Sequence, residues 1–310
     1  MARIVFMGTP DFAVPTLLAL DEHHGVVGVV TQPDRRAGRG RNLVVPPVKE
    51  AALELGLPTI QPEALGESGA MEQVQAWQPD LIVVAAFGQI LRKPMLALPP
   101  HGCLNVHASL LPSYRGASPI AAAILAGEEV TGVTIMRMDE GMDTGPILAQ
   151  AECPLAPDET AATLTGKLAQ LGAELLVETL PVWLSGDLLA QPQDDSQASY
   201  CRPLRKQDGH LEWSQPADYL ERQVRAYDPW PGTYTTWQGQ RLSVIHAQAL
   251  PSRMELGPPG EVVDLEPGVG VVAGRGILEL MVVQLAGKKP MEAGVFARGQ
   301  RDLVGSRLGV

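Results

Sequence analysis

Arg3-Ile4-Val5-Phe6-Met7-Gly8 opens on a charge and then runs apolar from Ile4 to Met7, closed by a glycine. A stretch that is apolar at successive positions, not at alternate ones, has the pattern of a strand buried on both faces of a parallel sheet. Working outward, residues 12–21 read as a helix and 26–31 as a second strand. Helices follow around 47–55 and 68–77, and another buried strand at 80–85. This alternation predicts an α/β class: an open, mostly parallel Rossmann-like sheet with helices on both faces. Residues 130–137 and 146–151 read as two further strands joined through a loop around Asp143, and a long amphipathic helix, roughly 160–184, closes the region.

Composition then shifts. Residues 190–200 are polar and without periodicity, as in a linker. Beyond them, short β-rich runs at 233–237, 241–247, 260–264, 269–273 and 277–283 alternate with glycines and prolines. Five short strands with turn signals predict a smaller β-rich, OB-like barrel. The expected division is a domain over 1–189, a linker over 190–205 and a C-terminal domain over 206–310. At 310 residues two domains are the prior expectation.

The chain is 45% hydrophobic and 19% charged, an ordinary globular composition with no run long enough for a membrane span. Its N-terminus enters a strand pattern at once, so no signal peptide is expected. Cys103, Cys153 and Cys201 lie far apart and form no Cys-x-x-Cys, which suits a reducing cytoplasm. The net charge of −11 is unevenly spread. Residues 206–310 hold 11 Lys and Arg against 12 Asp and Glu, which leaves 13 against 23 for residues 1–205. Within that acidic part, residues 31–47 carry Arg35, Arg36, Arg39 and Arg41 against Asp34 alone. Contacts to phosphates need local cations, and global charge is a poor guide to them.

The chemistry-bearing stretch is Asn105-Val106-His107-Ala108-Ser109-Leu110-Leu111-Pro112, followed later by Met142-Asp143-Thr144-Gly145. In an extended segment, side chains two apart share a face, so Asn105 and His107 open onto one cleft while Val106 packs behind. Pro112 ends the strand. Gly141 and Gly145 bracket Asp143 in a tight loop that can bring its carboxylate to the imidazole. An amide donor, an imidazole and a carboxylate suit attack on a carbonyl: Asn105 and protonated His107 donate to the oxyanion, and Asp143 orients the ring and takes a proton through water. Ser109 lacks the Gly-x-Ser-x-Gly elbow of a nucleophile.

Other readings of these motifs fail on their own terms. His101, Cys103 and His107 have neither a fourth ligand nor a recognised spacing, so no metal is expected. Gly8-Thr9-Pro10 follows the first strand, but the Gly-x-Gly-x-x-Gly of a dinucleotide site is absent. A non-catalytic OB-like RNA binder would need stacking platforms and a basic groove, and only Trp237 and Tyr234 offer stacking.

Residue for residue, this constellation resembles the catalytic core of the folate-dependent formyltransferases. The similarity extends through Phe6-Met7-Gly8-Thr9-Pro10-Asp11-Phe12, Thr31-Gln32-Pro33-Asp34-Arg35, Gly38-Arg39-Gly40, Tyr114-Arg115-Gly116-Ala117-Ser118-Pro119-Ile120, Thr131-Gly132-Val133-Thr134-Ile135-Met136, Asp228-Pro229-Trp230-Pro231-Gly232 and Ala286-Gly287-Lys288-Lys289-Pro290. The resemblance implies transfer of a formyl group from 10-formyltetrahydrofolate without a metal, with Asn105, His107 and Asp143 as the catalytic set. It also implies a folate pocket walled by Phe87, Gly88, Gln89 and Ile90 on one side and by Ser109, Leu110, Leu111 and Pro112 on the other. The arginine loop and the second domain favour a macromolecular acceptor, initiator methionyl-tRNA, over glycinamide ribonucleotide or an amino sugar. Arg35, Arg36, Arg39, Arg41, Lys206, Lys288 and Lys289 are the expected contacts to that RNA. A cytoplasmic monomer is expected, because no large apolar patch is evident.

Overall fold

The structure is a computed structural model that describes residues 1–37, 42–66, 69–250 and 257–309. It divides into two compact units. One comprises Met1–Pro119, Val130–Pro154 and Leu164–Cys201, the other Ile120–Glu129, Leu155–Thr163 and Arg202–Val310.

The first unit holds β1 (Arg3–Gly8), β2 (Gly25–Val30), the hairpin strands β3 (Arg35–Ala37) and β4 (Asn42–Val44), β5 (Thr59–Ile60), β6 (Leu81–Ala85), β7 (Cys103–His107), β8 (Arg115–Gly116), β9 (Val130–Arg137), β10 (Ile147–Pro154) and β11 (Tyr200–Cys201). Seven of these form one sheet in the order β10-β9-β7-β6-β1-β2-β5. The pairs from β5 to β7 are parallel, and β9 and β10 add antiparallel to that edge. The chain leaves β1 toward β2 and later returns on the other side of β1 as β6. That reversal places a crevice at the carboxyl ends of β1 and β6, where open α/β sheets bind their ligands.

Among the helices, α1 (Val14–His23), α2 (Pro47–Glu54), α3 (Ala70–Ala76) and α4 (Lys93–Leu96) precede β7, α5 (Pro119–Ala126) precedes β9, and α6 (Ala161–Ser185) follows β10. The pleat decides which face each residue meets. Val5, Met7, Ile82, Val84 and Cys103 pack with Val74 of α3 and Met95 of α4. Val106 turns the other way, onto Gly172 of α6. A Cβ at Gly172 would lie 2.7 Å from Val106 Cγ1 and 3.2 Å from Val133 Cγ1, so only glycine lets this helix approach the sheet so closely. Helices thus cover both faces, as the sequence pattern predicts.

The second unit contains α7 (Ala217–Ala226), the strands β12 (Thr233–Trp237), β13 (Gln240–Leu250), β14 (Val262–Asp264), β15 (Val269–Val272), β16 (Ile277–Leu285) and β17 (Met291–Glu292), and α8 (Ala293–Gly299). All its strand pairs are antiparallel, along the path β12-β13-β16-β15-β14, with β17 on β16. Gln238 and Gly239, both at positive φ (47° and 70°), make the two-residue turn of the first hairpin. The sheet is curled and OB-like. Among the described residues, no strand pairing closes it into a full barrel. Leu220 and Val224 of α7 and Phe296 of α8 fill its core, where Trp237 meets Phe296 edge-on at 5.7 Å.

Candidate active site

Asn105 and His107 lie on β7, where Asn105 pairs with Met136 and His107 with Thr134 of β9. Asp143 lies in the loop between β9 and β10 with φ +54°, the left-handed region. Its carboxylate converges with both: Asn105 Nδ2 donates to Oδ1 at 3.4 Å, and His107 Nδ1 stands 3.8 Å from Oδ2. His107 is buried, with a side-chain exposure of 7%, and Asp143 is 17% exposed. The structure thus brings the three expected catalytic residues together.

The carboxylate has a firmer tie, however, than either of these. Gly116 N–H donates to Asp143 Oδ2 at 2.8 Å. Gly116 has φ +113°, and a Cβ there would collide with the Cys201 carbonyl. The position therefore admits only glycine.

The ring of His107 is oriented by a different group from the expected one. Its Nε2 lies 3.1 Å from the Tyr114 carbonyl. A carbonyl only accepts, so Nε2 carries the proton there, and Nδ1 is left facing Asp143 beyond hydrogen-bond distance. Tyr114 sits at φ +59°, a conformation that costs a non-glycine residue of order 1–3 kcal/mol and turns its carbonyl toward the imidazole.

The sequence reading gives Tyr114 no role at His107, nor Ser199 one behind Tyr114. Within the segment read as a linker, 190–205, several residues between 193 and 201 are tied to this loop. Arg115 N–H donates to the Ser199 carbonyl and Ala117 N–H to the Cys201 carbonyl, at 2.9 and 3.1 Å. Tyr200 and Cys201 pair in parallel with Arg115 and Gly116. Arg115 is 1% exposed, with Nη2 2.8 Å from Asp195 and Nη1 3.2 Å from the Tyr200 hydroxyl. Burial works against its charge, but the hydrogen bonds it donates to Asp195 and Tyr200 outweigh that and hold the guanidinium above its ordinary range. Burial pushes the Cys201 thiol up, and the nearby Asp143 carboxylate acts in the same direction.

The two expected pocket walls follow β6 and β7, adjacent parallel strands, and so leave the sheet at the same edge. Gly88 and Ile90 are exposed, Ile90 at 84%. The Phe87 ring instead belongs to the core with Val84, Leu91 and Met95. What Phe87 offers the crevice is its backbone: the carbonyl accepts from Thr9 Oγ1 at 2.9 Å and from Gln32 Nε2 at 3.3 Å. Gln89 is turned away to the 62–65 loop, where its amide holds Leu65 N–H and the Pro62 carbonyl. On the other wall, Ser109 Oγ donates to the Ser113 carbonyl at 2.6 Å, and Leu111 N–H donates to Thr134 Oγ1 at 3.0 Å. Leu111 is buried, whereas Leu110 and Pro112 are half-buried and present apolar surface. The two walls thus offer apolar side chains together with backbone groups that internal hydrogen bonds hold in place.

Of the cations expected to meet RNA, Arg35 on β3 is exposed, 3.7 Å from Glu63 and 3.4 Å from Gln32 Oε1. Arg36 lies on the same strand. Arg39 and Arg41 lie outside the described residues. Lys206, Lys288 and Lys289 are exposed in the second unit. The β3–β4 hairpin is rooted beside Asp34, which Lys49 grips at 2.7 and 2.9 Å and Gln61 at 2.7 Å. The Gln61 hydrogen bond first, then Lys49, holds the Asp34 carboxyl below the usual range. Among the described residues, no helix is long and apolar enough to cross a membrane.

Comparison with known proteins gives matches along nearly the whole chain. The family described as formyl transferase matches residues 2–180, and the formyl transferase C-terminal domain matches residues 203–301. A methionyl-tRNA formyltransferase of Roseiflexus sp. (strain RS-1) is 50% identical over 309 residues, covering 99% of this chain and 95% of that one. Among solved structures, an N-formyltransferase from Helicobacter canadensis, in complex with folinic acid and dTDP-3-aminofucose, is similar at a TM-score of 0.65 and 17% identity. That match covers 93% of this chain and 100% of the other. HypX from Aquifex aeolicus is similar at a TM-score of 0.64 and 18% identity over 98% of this chain, which spans only 50% of that longer protein. At such identities the structural matches establish the fold alone.

Proposed function

The chain belongs to the methionyl-tRNA formyltransferase family, and from that premise we propose how its residues carry formyl from 10-formyltetrahydrofolate to the α-amine of methionine on initiator tRNA. The convergence of Asn105, His107 and Asp143 beside the crevice carries this reading.

The folate would occupy the crevice between Gly88–Ile90 and Ser109–Pro112, with its formyl group toward β7. The methionyl amine attacks the formyl carbon, and charge develops on the formyl oxygen. The amide of Asn105 is held by Asp143 only at the long distance of 3.4 Å, so it is free to turn toward that oxygen. His107, when protonated, offers Nδ1–H as a second donor, since Nε2–H is already spent on Tyr114. The amine must lose a proton as the tetrahedral intermediate forms. Asp143 receives it through water, and the proton returns to the folate nitrogen as the C–N bond to the carrier breaks. The products are N-formylmethionyl-tRNA and tetrahydrofolate.

In this reading residues 1–189 carry the chemistry, residues 190–205 lead to the second domain and as far as Cys201 also brace the site's loops, and residues 206–310 assist with tRNA through Lys206, Lys288 and Lys289. The arginines of the 31–47 loop meet the same RNA. The enzyme acts as a cytoplasmic monomer, because its acceptor is itself a large, freely diffusing ligand. The test is formyl transfer from 10-formyltetrahydrofolate to initiator methionyl-tRNA, beside glycinamide ribonucleotide and a reaction without acceptor. Transfer to the tRNA alone is expected. Transfer to the ribonucleotide, or release of formate without acceptor, would overturn the assignment of the acceptor.

A further inference from the structure

The segment 191–201 supplies none of the groups assigned to the chemistry, yet it reaches both sides of the site. Gln193 uses its whole amide: Nε2 donates to the carbonyls of Asp143 and Gly145, at 2.9 and 2.6 Å, and Oε1 accepts from Arg115 Nε and Nη2, at 3.0 and 2.8 Å. On the other side, Ser199 Oγ accepts from Tyr114 N–H at 2.8 Å, and it is the Tyr114 carbonyl that faces His107.

We propose that Gln193 is a positioning residue for formyl transfer. It clasps the backbone on both sides of Thr144, and so holds the Asp143 carboxylate against Asn105 and His107, with buried Arg115 as its anchor. The proposal rests on the assignment of Asp143 to the site.

The chemistry of the amide explains why this position suits glutamine. Two carbonyl oxygens must be met by donors and a guanidinium by an acceptor, and only a primary amide provides both at one side-chain end. The clasp acts on strained backbone, because Asp143 is held at φ +54°. Without donors for the two carbonyls, that residue is free to relax toward an ordinary conformation, which swings its carboxylate away. A misplacement of about 1 Å at a reacting group can cost on the order of 10²-fold in rate.

Gln193→Glu separates anchoring from clasping. A carboxylate keeps the bond to Arg115 but offers no donor to the two carbonyls. The expected result is a kcat at least ~10-fold lower, KM for formyl-folate and for tRNA within about twofold, and a melting temperature within a few degrees of the parent. The pH profile of kcat should also move, because the carboxylate no longer sits where it did. In an Asp143→Asn background the same change should lower kcat no further, since both act through one group. Should the added charge prevent folding, Gln193→Met removes the donors without charge and is expected to behave alike. A kcat within twofold of the parent in the glutamate or methionine variant, with Asp143→Asn strongly impaired, overturns the role of Gln193 and leaves the site standing. An additive loss in the double variant also overturns it. Near-full activity in Asp143→Asn would instead sink the assignment of Asp143, and the proposal with it.

Discussion

His107 and Asp143 face each other at 3.8 Å between Nδ1 and Oδ2, while the other ring nitrogen of His107 lies 3.1 Å from the Tyr114 carbonyl. The ring is therefore fixed from behind and left open toward the carboxylate. At this distance Nδ1 makes no closed hydrogen bond to the carboxylate, so a proton on it is available to a substrate oxygen.

Removing either proposed oxyanion donor should slow the chemical step. Asn105→Ala and His107→Ala are each expected to lose ~10²–10³ in turnover while binding of formyl-folate changes little. Single-turnover formyl transfer, with folate binding followed separately, checks this. A variant of either position with near-parental turnover would remove that residue from the mechanism.

Gly116→Ala should impair the same step without touching a reacting group. Its φ of +113° and the Cys201 carbonyl leave no place for a methyl group, so the N–H that holds Asp143 must move. A lower melting temperature together with a lower kcat is expected. Parental kcat in a stably folded Gly116→Ala protein would count against this hydrogen bond as the main tie on the carboxylate.

The close approach of α6 makes a second packing prediction. Gly172→Ala gains about 1 kcal/mol in helix propensity but must push Val106 aside, and overpacking of this kind costs ~1–3 kcal/mol. Net destabilisation is expected on thermal unfolding. A rise in melting temperature would show that the helix can retreat at little cost.

Acid should release the root of the β3–β4 hairpin, and alkali should not. Asp34 has its carboxyl pKa lowered in the folded state by Gln61 and then Lys49. Its stabilisation is therefore complete above the unfolded value near 3.8 and is lost as pH falls through the lowered folded value. The difference in melting temperature between parent and Asp34→Asn should stay constant over roughly pH 6 to 9 and shrink only below about pH 4. A difference that varies across the neutral range would contradict this origin.

Burial pushes the Cys103 thiol up to about 12, so almost no thiolate exists there near neutrality. Alkylation of the native protein at mild alkaline pH, read by peptide mass, should leave Cys103 unmodified until denaturant is added. Labelling at the rate of an exposed thiol would contradict its burial.

If Arg35 meets a phosphate, Arg35→Ala should weaken tRNA binding and reduce the slope of log affinity against log salt by roughly one. Its ion pair with Glu63 is exposed on both sides and offers little competition. Unchanged affinity and slope would remove Arg35 from the interface.

What the sequence discloses here is what periodicity and short-range spacing can carry. The continuous apolar runs of β1 and β6 announce a parallel sheet, and the two-residue spacing of Asn105 and His107 places them on one face. Gln193 and Ser199 were not legible because their partners, Asp143 and Tyr114, lie 50 and 85 residues away. A polar, aperiodic stretch looks like a linker whether its polar groups meet water or, as here, the carbonyls and N–H groups of a neighbouring loop. Phe87 shows the same limit from the other side. The turn after β6, with Ala86 at φ +44°, sends its ring into the core while its carbonyl stays at the crevice.

The most direct test of the account is formyl transfer to initiator methionyl-tRNA by the parent protein and by Asp143→Asn, measured in single turnover across pH with both substrates saturating. The account predicts efficient transfer by the parent and a loss on the order of 10² or more in the variant, with tRNA and folate affinities unchanged. Comparable rates in the two proteins would contradict it, because the loop, the Gly116 contact and the Gln193 clasp all converge on that one carboxylate.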